Sequence, residues 1–518
     1  MNVTMVPLDE RPVNVKYPQM LAAIAGINLA VPPAALMGRL RTPCYVGALH
    51  DWIEGKTETT DAFIVSIETF AYGSLINSRV SNECSIDIIS RLPLLATLNR
   101  SAPVHAFSIV TRVSNADDCV EEPLYWKNWG TQCYRFGNLW HRESLGRLGD
   151  NLGEAEALRI VTSAIPDEVK QDWLLRRLRN HTVALALQDM TARGLLESLL
   201  ITSDDTSAYG LPSRERDWLQ GWSALIGATL SSRLSMHPGA DEVGSALVSK
   251  LVSGTQSTKP KIFVVWSNED ESHLVAPYED RPLRDTVFAQ VEACGGEYCE
   301  THEGAALILG VVTPSRRLCD YRPEFLIEDR TNRAPDYVSF LERLVALSQA
   351  DTPLAIADVA YPNGADPTFM ELFFQCDALL RSGSLCAFGA WNTAGNTLGT
   401  TIAQAICSLH IGDSMERRNA QDLFLAHRFL EDFGYQSVVR RQARDFCVKM
   451  WGTRDPDPQS EDQLQQVRTL VEELLGIELS KLQGLGIAQR ITLKLKSIRF
   501  PWDRLFEVDF ELVRSVNK

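Results

Sequence analysis

The chain has 518 residues, of which 45% are apolar and 23% charged, and 51 Lys and Arg face 66 Asp and Glu for a formal charge of −15. That length suits two or three domains or one large barrel with additions, and the composition supplies a core and excludes wholesale disorder. So acidic a chain is a poor general ligand for nucleic acid or anionic lipid, which leaves small molecules or other proteins as its partners.

Short apolar runs ending in polar, Gly- or Pro-bearing turns recur along the chain. They are Val3–Leu8, Ile27–Val31, Phe63–Ile67, Ala106–Val110, Leu199–Thr202, Ile262–Trp266, Ala306–Val312, Leu354–Val359 and Leu385–Ala390. Each is apolar on both parities, as strands buried on both faces must be. Amphipathic stretches such as Ser85–Leu98 and Pro166–Met190 lie between them, so the pattern predicts an α/β protein with right-handed crossovers. Ser253–Lys261 and Asp455–Asp462 read as linkers, and the pattern turns helical from Ile411 until Ile491–Leu512 alternates like a closing hairpin. The expected organisation is a barrel-like β/α region over 1–252, a second α/β region over 262–410 that contributes to the site, and a mostly helical region over 411–518. There is no fixed-period repeat, only an echo of Asp9-Glu10-Arg11-Pro12 in Glu279-Asp280-Arg281-Pro282.

The apolar stretch from Leu21 to Gly38 does not read as a leader or a membrane span. Asp9, Glu10 and Arg11 precede it, Asn28 interrupts it and Pro32-Pro33 breaks it. Eleven cysteines lack CxxC pairs, and Cys44, Cys294, Cys386 and Cys407 sit in apolar surroundings as buried reduced thiols would. A cytoplasmic protein, bound to neither membrane nor nucleic acid, is expected.

The chemistry-bearing residues cluster just after strands, the edge at which α/β folds carry ligand sites. After the first strand come Asp9 and Arg11, and Arg11 suits either a supporting ion pair or a fork on a substrate oxygen. After the third come Glu68 and Tyr72, with Arg79 downstream, and after the next Arg112. An acid beside an aromatic ring suits sugar recognition, and a buried tyrosine with a satisfied hydroxyl is the plainer reading. The strand Leu199–Thr202 runs into Asp204-Asp205, then Tyr209 and Glu215. Adjacent carboxylates repel, so one pKa should rise while the other falls, which suits general acid–base work. His237 is followed by Asp241 and Glu242, too few ligands for a metal on their own. Asp358 and Asn363 follow a later strand, and Trp391 and Asn392 the last of the series. Trp beside Asn suits a sugar face, with a packed Trp as the plainer reading. AGNTLG lacks the Lys-Ser/Thr ending of a phosphate loop, so no nucleotide, other cofactor or metal is expected.

PLDERPVN, ETFAYGSLINSR, SDDTSAYG, HPGADEVG, YEDRPL, DVAYPNGAD and AWNTAGNTLG, in that order, resemble the hallmark blocks of the bacterial domain of unknown function 4127, over about Val3 to Ala403. One block departs from the usual SLDMLAYGG by carrying Glu68 and Ser74. More distantly, and as an analogy, the Asp-Asp pair is similar to that of substrate-assisted N-acetylhexosaminidases of the O-GlcNAc hydrolase type. That likeness implies Asp204 as the residue orienting the acetamido group and Asp205 as general acid/base. Tyr209, Trp391, Asn392 and the outer acids Asp9, Glu68, Asp241 and Asp358 would then bind sugar hydroxyls, with Arg11, Tyr72, Arg112 and Asn363. The expected function is therefore a glycoside hydrolase with a TIM-barrel-like catalytic region, acting on a carbohydrate and with room for a homo-oligomer. Alternatives are a divalent-metal hydrolase built on Asp204, Asp205, Asp241, Glu242 and Asp358, or a sugar-binding protein without turnover.

Overall fold

A computed structural model describes residues 1–149, 152–348, 352–487 and 492–514. Its strands are β1 (Asn2–Val6), β2 (Asn28–Ala30), β3 (Ala62–Ser66), β4 (Val104–Val110), β5 (Ser198–Ser203), β6 (Leu234–Pro238), β7 (Lys261–Trp266), β8 (Glu297–Cys299), β9 (Leu307–Val312), β10 (Leu354–Asp358), β11 (Leu385–Gly389), β12 (Leu493–Arg499) and β13 (Asp509–Arg514). All nine expected apolar runs are strands. The two strands not expected are short or half-polar: Glu297–Cys299 spans three residues, and Leu234–Pro238 carries Ser235 and His237.

The strands do not close into the expected barrel. They form two open, wholly parallel sheets, ordered β2-β1-β3-β4-β5-β6 and β11-β10-β9-β7-β8. A barrel needs its edge strands to pair with each other, and here β2 and β6, like β8 and β11, remain edges. Read from β7, the second sheet repeats the first five strands of the first sheet, the doubly wound order whose ligand crevices open at the carboxyl ends of the strands. The β12–β13 hairpin is antiparallel, and Ile491, where its pattern was expected to begin, lies outside the described residues.

The chain packs as two units: Met1–Glu10, Asn28–Gly244 and Tyr278–Arg281 in the first, and Arg11–Ile27, Ser245–Pro277 and Pro282–Lys518 in the second. The first contains the six-stranded sheet, whose core joins Phe63, Val65, Phe70, Leu98, Ile201 and Leu219. A smaller helical core there gathers Trp126, Cys133, Val161, Ile165 and Trp173. The stretch Ser85–Leu98 is two helices, Ser85–Ile89 and Pro93–Ser101, because Pro93 is tolerated at the start of a helix but not inside one. The second unit's core runs from the sheet residues Ile308, Ile356 and Phe388 through Phe429, Val467 and Leu475 to Phe510. The C-terminal helices and hairpin are thus part of that core. Among the described residues no helix is long and apolar enough to cross a membrane. All eleven cysteines are free thiols; Cys44, Cys294 and Cys407 are buried as expected, whereas Cys386 is only half-buried.

Candidate active site

β5 delivers the Asp-Asp pair. The Asp204 amide still donates to the Val110 carbonyl at 3.2 Å, continuing the β4–β5 ladder one step past the strands. Asp205 then turns at φ 36°, a left-handed conformation that Asp tolerates better than most residues because its short side chain bonds locally. The loop continues into Thr206, whose amide donates to the Tyr278 carbonyl at 3.0 Å within the same unit.

Two arginines hold the pair, one on each acid. Arg79, from the helix Leu75–Val80, is ion-paired with Asp204 and reaches Glu121 at 3.1 Å and Glu122 at 3.5 Å. Arg112, just past β4, donates to Asp205 at 2.9 Å, Glu121 at 3.1 Å and Glu122 at 3.3 Å. Glu121 and Glu122 therefore bridge the two guanidiniums, and the cluster holds four carboxylates against two cations. Burial pushes the Asp204 carboxyl up to about 7, the Asp205 and Asp241 charges add to the push, and Arg79 and Arg112 pull against it. Burial also raises Glu122. For Arg112 burial opposes the charge, but Glu121, Asp205 and Glu122 outweigh it and hold the guanidinium protonated. The Asp204 side chain is 14% exposed and Asp205 30%, so Asp204 is the more deeply set of the two and Asp205 the more open.

Sequence reasoning passed over Glu121 and Glu122. The signal was a second acid pair in the loop that also carries Arg112. Asp241, buried in the loop after β6, lies close enough to act on Asp204. Its neighbour Glu242 is committed to its own loop: it accepts from the Ala240 amide at 2.8 Å and lies 3.8 Å from His237. Gly239, at φ 131°, permits that wrap, since a Cβ there would fall 1.9 Å from the Glu242 carboxylate.

The other expected residues of the first unit are placed differently. Asp9 is buried in the loop leaving β1. Glu68 is buried and accepts from Ser66 Oγ at 3.1 Å, Ser108 Oγ at 2.9 Å and the Ile109 amide at 2.8 Å. It ties β3 to β4, a structural role in place of the expected sugar contact. Burial raises its pKa against those three bonds. Tyr72 is buried with the Arg179 guanidinium 5.1 Å over its ring, the plainer of the two readings. Tyr209 is half-buried against the helix Trp126–Ser144: its ring lies 5.8 Å from that of His141, and Arg147 donates to its hydroxyl at 3.2 Å. Glu215 is the bidentate partner of Arg177, at 2.7 and 2.8 Å.

The remaining expected residues belong to the second unit, and they are bound inward. Arg11 pairs with Glu507 at 3.2 Å and stacks 4.6 Å over Trp502, the supporting role rather than the substrate fork. Asp358 ends β10, is fully buried and accepts from the Ala360 amide at 3.0 Å and the Asp366 amide at 2.7 Å. Burial and the Asp366 charge push it up to about 7. Asp366 caps the helix Pro367–Phe374 and accepts from Tyr337 at 2.6 Å and Arg333 at 3.1 Å. Asn363, at φ 63°, donates its amide to the Asn392 carbonyl at 3.0 Å and its side chain to Asp320 at 3.1 Å. Trp391 is buried with its ring centroid 6.3 Å from that of Phe506 in an edge-on arrangement, so it packs in the core and offers no face for a sugar to stack on. A π-helix, Phe429–Val439, fastens these loops: Asp432 accepts from the Ala390 amide at 2.6 Å through its carboxylate and from the Ala365 amide at 3.1 Å through its carbonyl.

Among the described residues no group of three or more His, Cys, Asp or Glu side chains converges to hold a metal ion. No curated protein and no solved structure matches the chain. Over residues 3–511 it matches the family described as a protein of unknown function, DUF4127, and the protein belongs to that family.

Proposed function

We propose that this protein is a glycoside hydrolase that acts on an N-acetylhexosaminide through Asp204 and Asp205. The single observation that carries the reading is the setting of the pair: two adjacent carboxylates, each on its own arginine, with burial pushing Asp204 up to about 7. A carboxyl raised toward neutrality beside a second acid is one way an enzyme obtains a proton donor from a residue type that is ordinarily ionised. The roles are the reverse of those implied by the sequence likeness. Asp204 is the general acid/base, and Asp205 is the anion that orients the substrate's acetamido N–H.

In this scheme the acetamido oxygen attacks the anomeric carbon as the glycosidic C–O bond breaks, and Asp204 gives its proton to the leaving oxygen. Water then opens the cyclic intermediate and returns a proton to Asp204, so the enzyme is regenerated. The excess of carboxylates over guanidiniums around the pair favours a neutral polar substrate over a phosphorylated one. The test is hydrolysis of an aryl N-acetylhexosaminide by wild type, Asp204→Asn and Asp205→Asn. Each variant should lose about 10²- to 10⁴-fold in kcat with an unchanged thermal melt. Full activity in Asp204→Asn would sink the assignment of the acid, and no turnover by the wild type would sink the reaction.

A further inference from the structure

Two neighbouring helices of the first unit, Asp167–Ala192 and Leu211–Ile226, present an apolar face that the described residues leave exposed. On the second helix Trp218 is 44% exposed, Trp222 53% and Leu225 81%, at the i, i+4, i+7 spacing of a packing stripe, while Leu219 turns inward to the core. On the first, Leu174 and Leu178 are exposed one turn apart and lead to His181. The His181 and Trp218 rings meet at 5.8 Å, and Arg177 pairs with Glu215 at 2.7 Å, so the two stripes lie side by side. Soluble chains seldom leave two tryptophans and three leucines on one surface without a use for it.

Charge decides what covers it. No charged residue occurs between Asp217 and Arg233. Three nearby arginines are ion-paired within the unit, Arg176 with Asp172 at 2.8 Å, Arg177 with Glu215, and Arg216 with Asp217 at 3.2 Å and with Asp280, while Arg214 lies over the Trp218 ring at 4.9 Å and keeps its charge. An acidic protein or an anionic lipid surface would find little to bind there. Two copies of a chain of charge −15 repel each other over most of their surfaces, and a neutral face is where they can touch without like charges meeting. Gly221 lies within the stripe, with open space where a Cβ would stand, so a second helix can approach closely.

We infer that this face is an isologous interface, on which the helix pair of one copy packs against the same pair of a second copy as a four-helix layer about a two-fold axis. The interface is independent of the reaction proposed above.

The experiment is sedimentation velocity on the full chain at micromolar to tens of micromolar concentration, with and without added NaCl. The wild type should sediment at twice the chain mass, and its self-association should tighten with salt as the net repulsion is screened. Trp222→Glu/Leu225→Glu should weaken association by about 30-fold or more while the variant keeps the circular-dichroism spectrum of the wild type. Leu225→Glu alone, at the most exposed position, should act in the same direction and serves if the double variant does not fold. A wild type that stays monomeric, or a dimer that survives Leu225→Glu undiminished, would overturn the inference. So would a monomer that pellets with phosphatidylcholine vesicles, which would assign the face to a lipid surface.

Discussion

In the first sheet the order β2-β1-β3-β4-β5 places Arg112, Asp204 and Asp205 just beyond the carboxyl ends of β4 and β5. In the second, β8-β7-β9-β10-β11 places Asp358 at the end of β10 and Trp391-Asn392 beyond β11, at corresponding positions. The two edges hold their acids by different means. Asp358 receives backbone amides from Ala360 and Asp366, and the π-helix binds the adjoining loops through Asp432. Asp204 and Asp205 are held by the side chains of Arg79 and Arg112 and remain partly exposed. An acid saturated by backbone amides is fixed and enclosed, which suits a loop support. An acid held by a guanidinium keeps lone pairs and a solvent-facing side, which suits chemistry. One topology thus yields two sheet edges that hold their acids by different means.

The sharpest way to break this comparison is the pH dependence of turnover. If Asp204 works as an acid with a pKa of about 7, activity should fall as pH rises through about 7, because the protonated form is lost. Asp204→Glu should keep a limb of that kind, and an Arg79→Met variant, which removes a charge that pulls the pKa down, should move the limb upward. A limb that does not move in Arg79→Met would leave the first edge no more chemical than the second.

Next in size is Trp391→Ala. A buried tryptophan truncated in a core costs about 3–5 kcal/mol, to be read from urea unfolding. Where the variant still folds, its KM should match the wild type; a raised KM with unchanged stability would restore the sugar-stacking role.

Asp358→Asn tests the enclosed acid. Asparagine can accept only one of the two amide bonds, so the loss should be about 1–3 kcal/mol. The sign of the pH effect is also set: a carboxyl near 7 in the folded state and about 4 in the unfolded one binds more protons when folded. Its stabilising contribution is complete below about pH 4 and is lost as pH rises through about 7. The wild type should therefore lose stability from pH 5 to 8, and Asp358→Asn should lose less over the same range.

The smallest effect expected is that of Tyr209→Phe. Its hydroxyl only accepts from Arg147 on a half-buried surface, so stability should change by about 1 kcal/mol or less. A large loss of turnover would move Tyr209 into the reacting site.

Much of the fold was legible in the residues. Nine strands could be read because strands buried on both faces need runs that are apolar on both parities, and runs this short between turn residues are too brief for most buried helices. Even the echo of Asp9-Glu10-Arg11-Pro12 in Glu279-Asp280-Arg281-Pro282 has a structural counterpart. Each motif lies between the first strand of its sheet and a helix, Pro12–Ala25 in one case and Leu283–Ala293 in the other, where proline suits a helix start. Pairing order was not legible, because alternating strands and helices describe a barrel and an open doubly wound sheet equally well. The site was legible in part for a similar reason. Asp204, Asp205 and Arg112 announce themselves by standing at strand ends, and Glu68, Asp358 and Trp391 stand there too.

The sequence by itself determined the α/β class, the strand positions, the helical C-terminal region and the Asp-Asp pair, because these depend on local periodicity and on which residue follows which strand. Tertiary structure alone decided that the sheets stay open, that Glu121 and Glu122 join the two arginines around the pair, and that Glu68, Asp358 and Trp391 serve the core. The physical reason is that hydrogen-bond partners and burial are set by contacts between residues far apart in the chain, as between Arg79 and Asp204, and no local pattern encodes them.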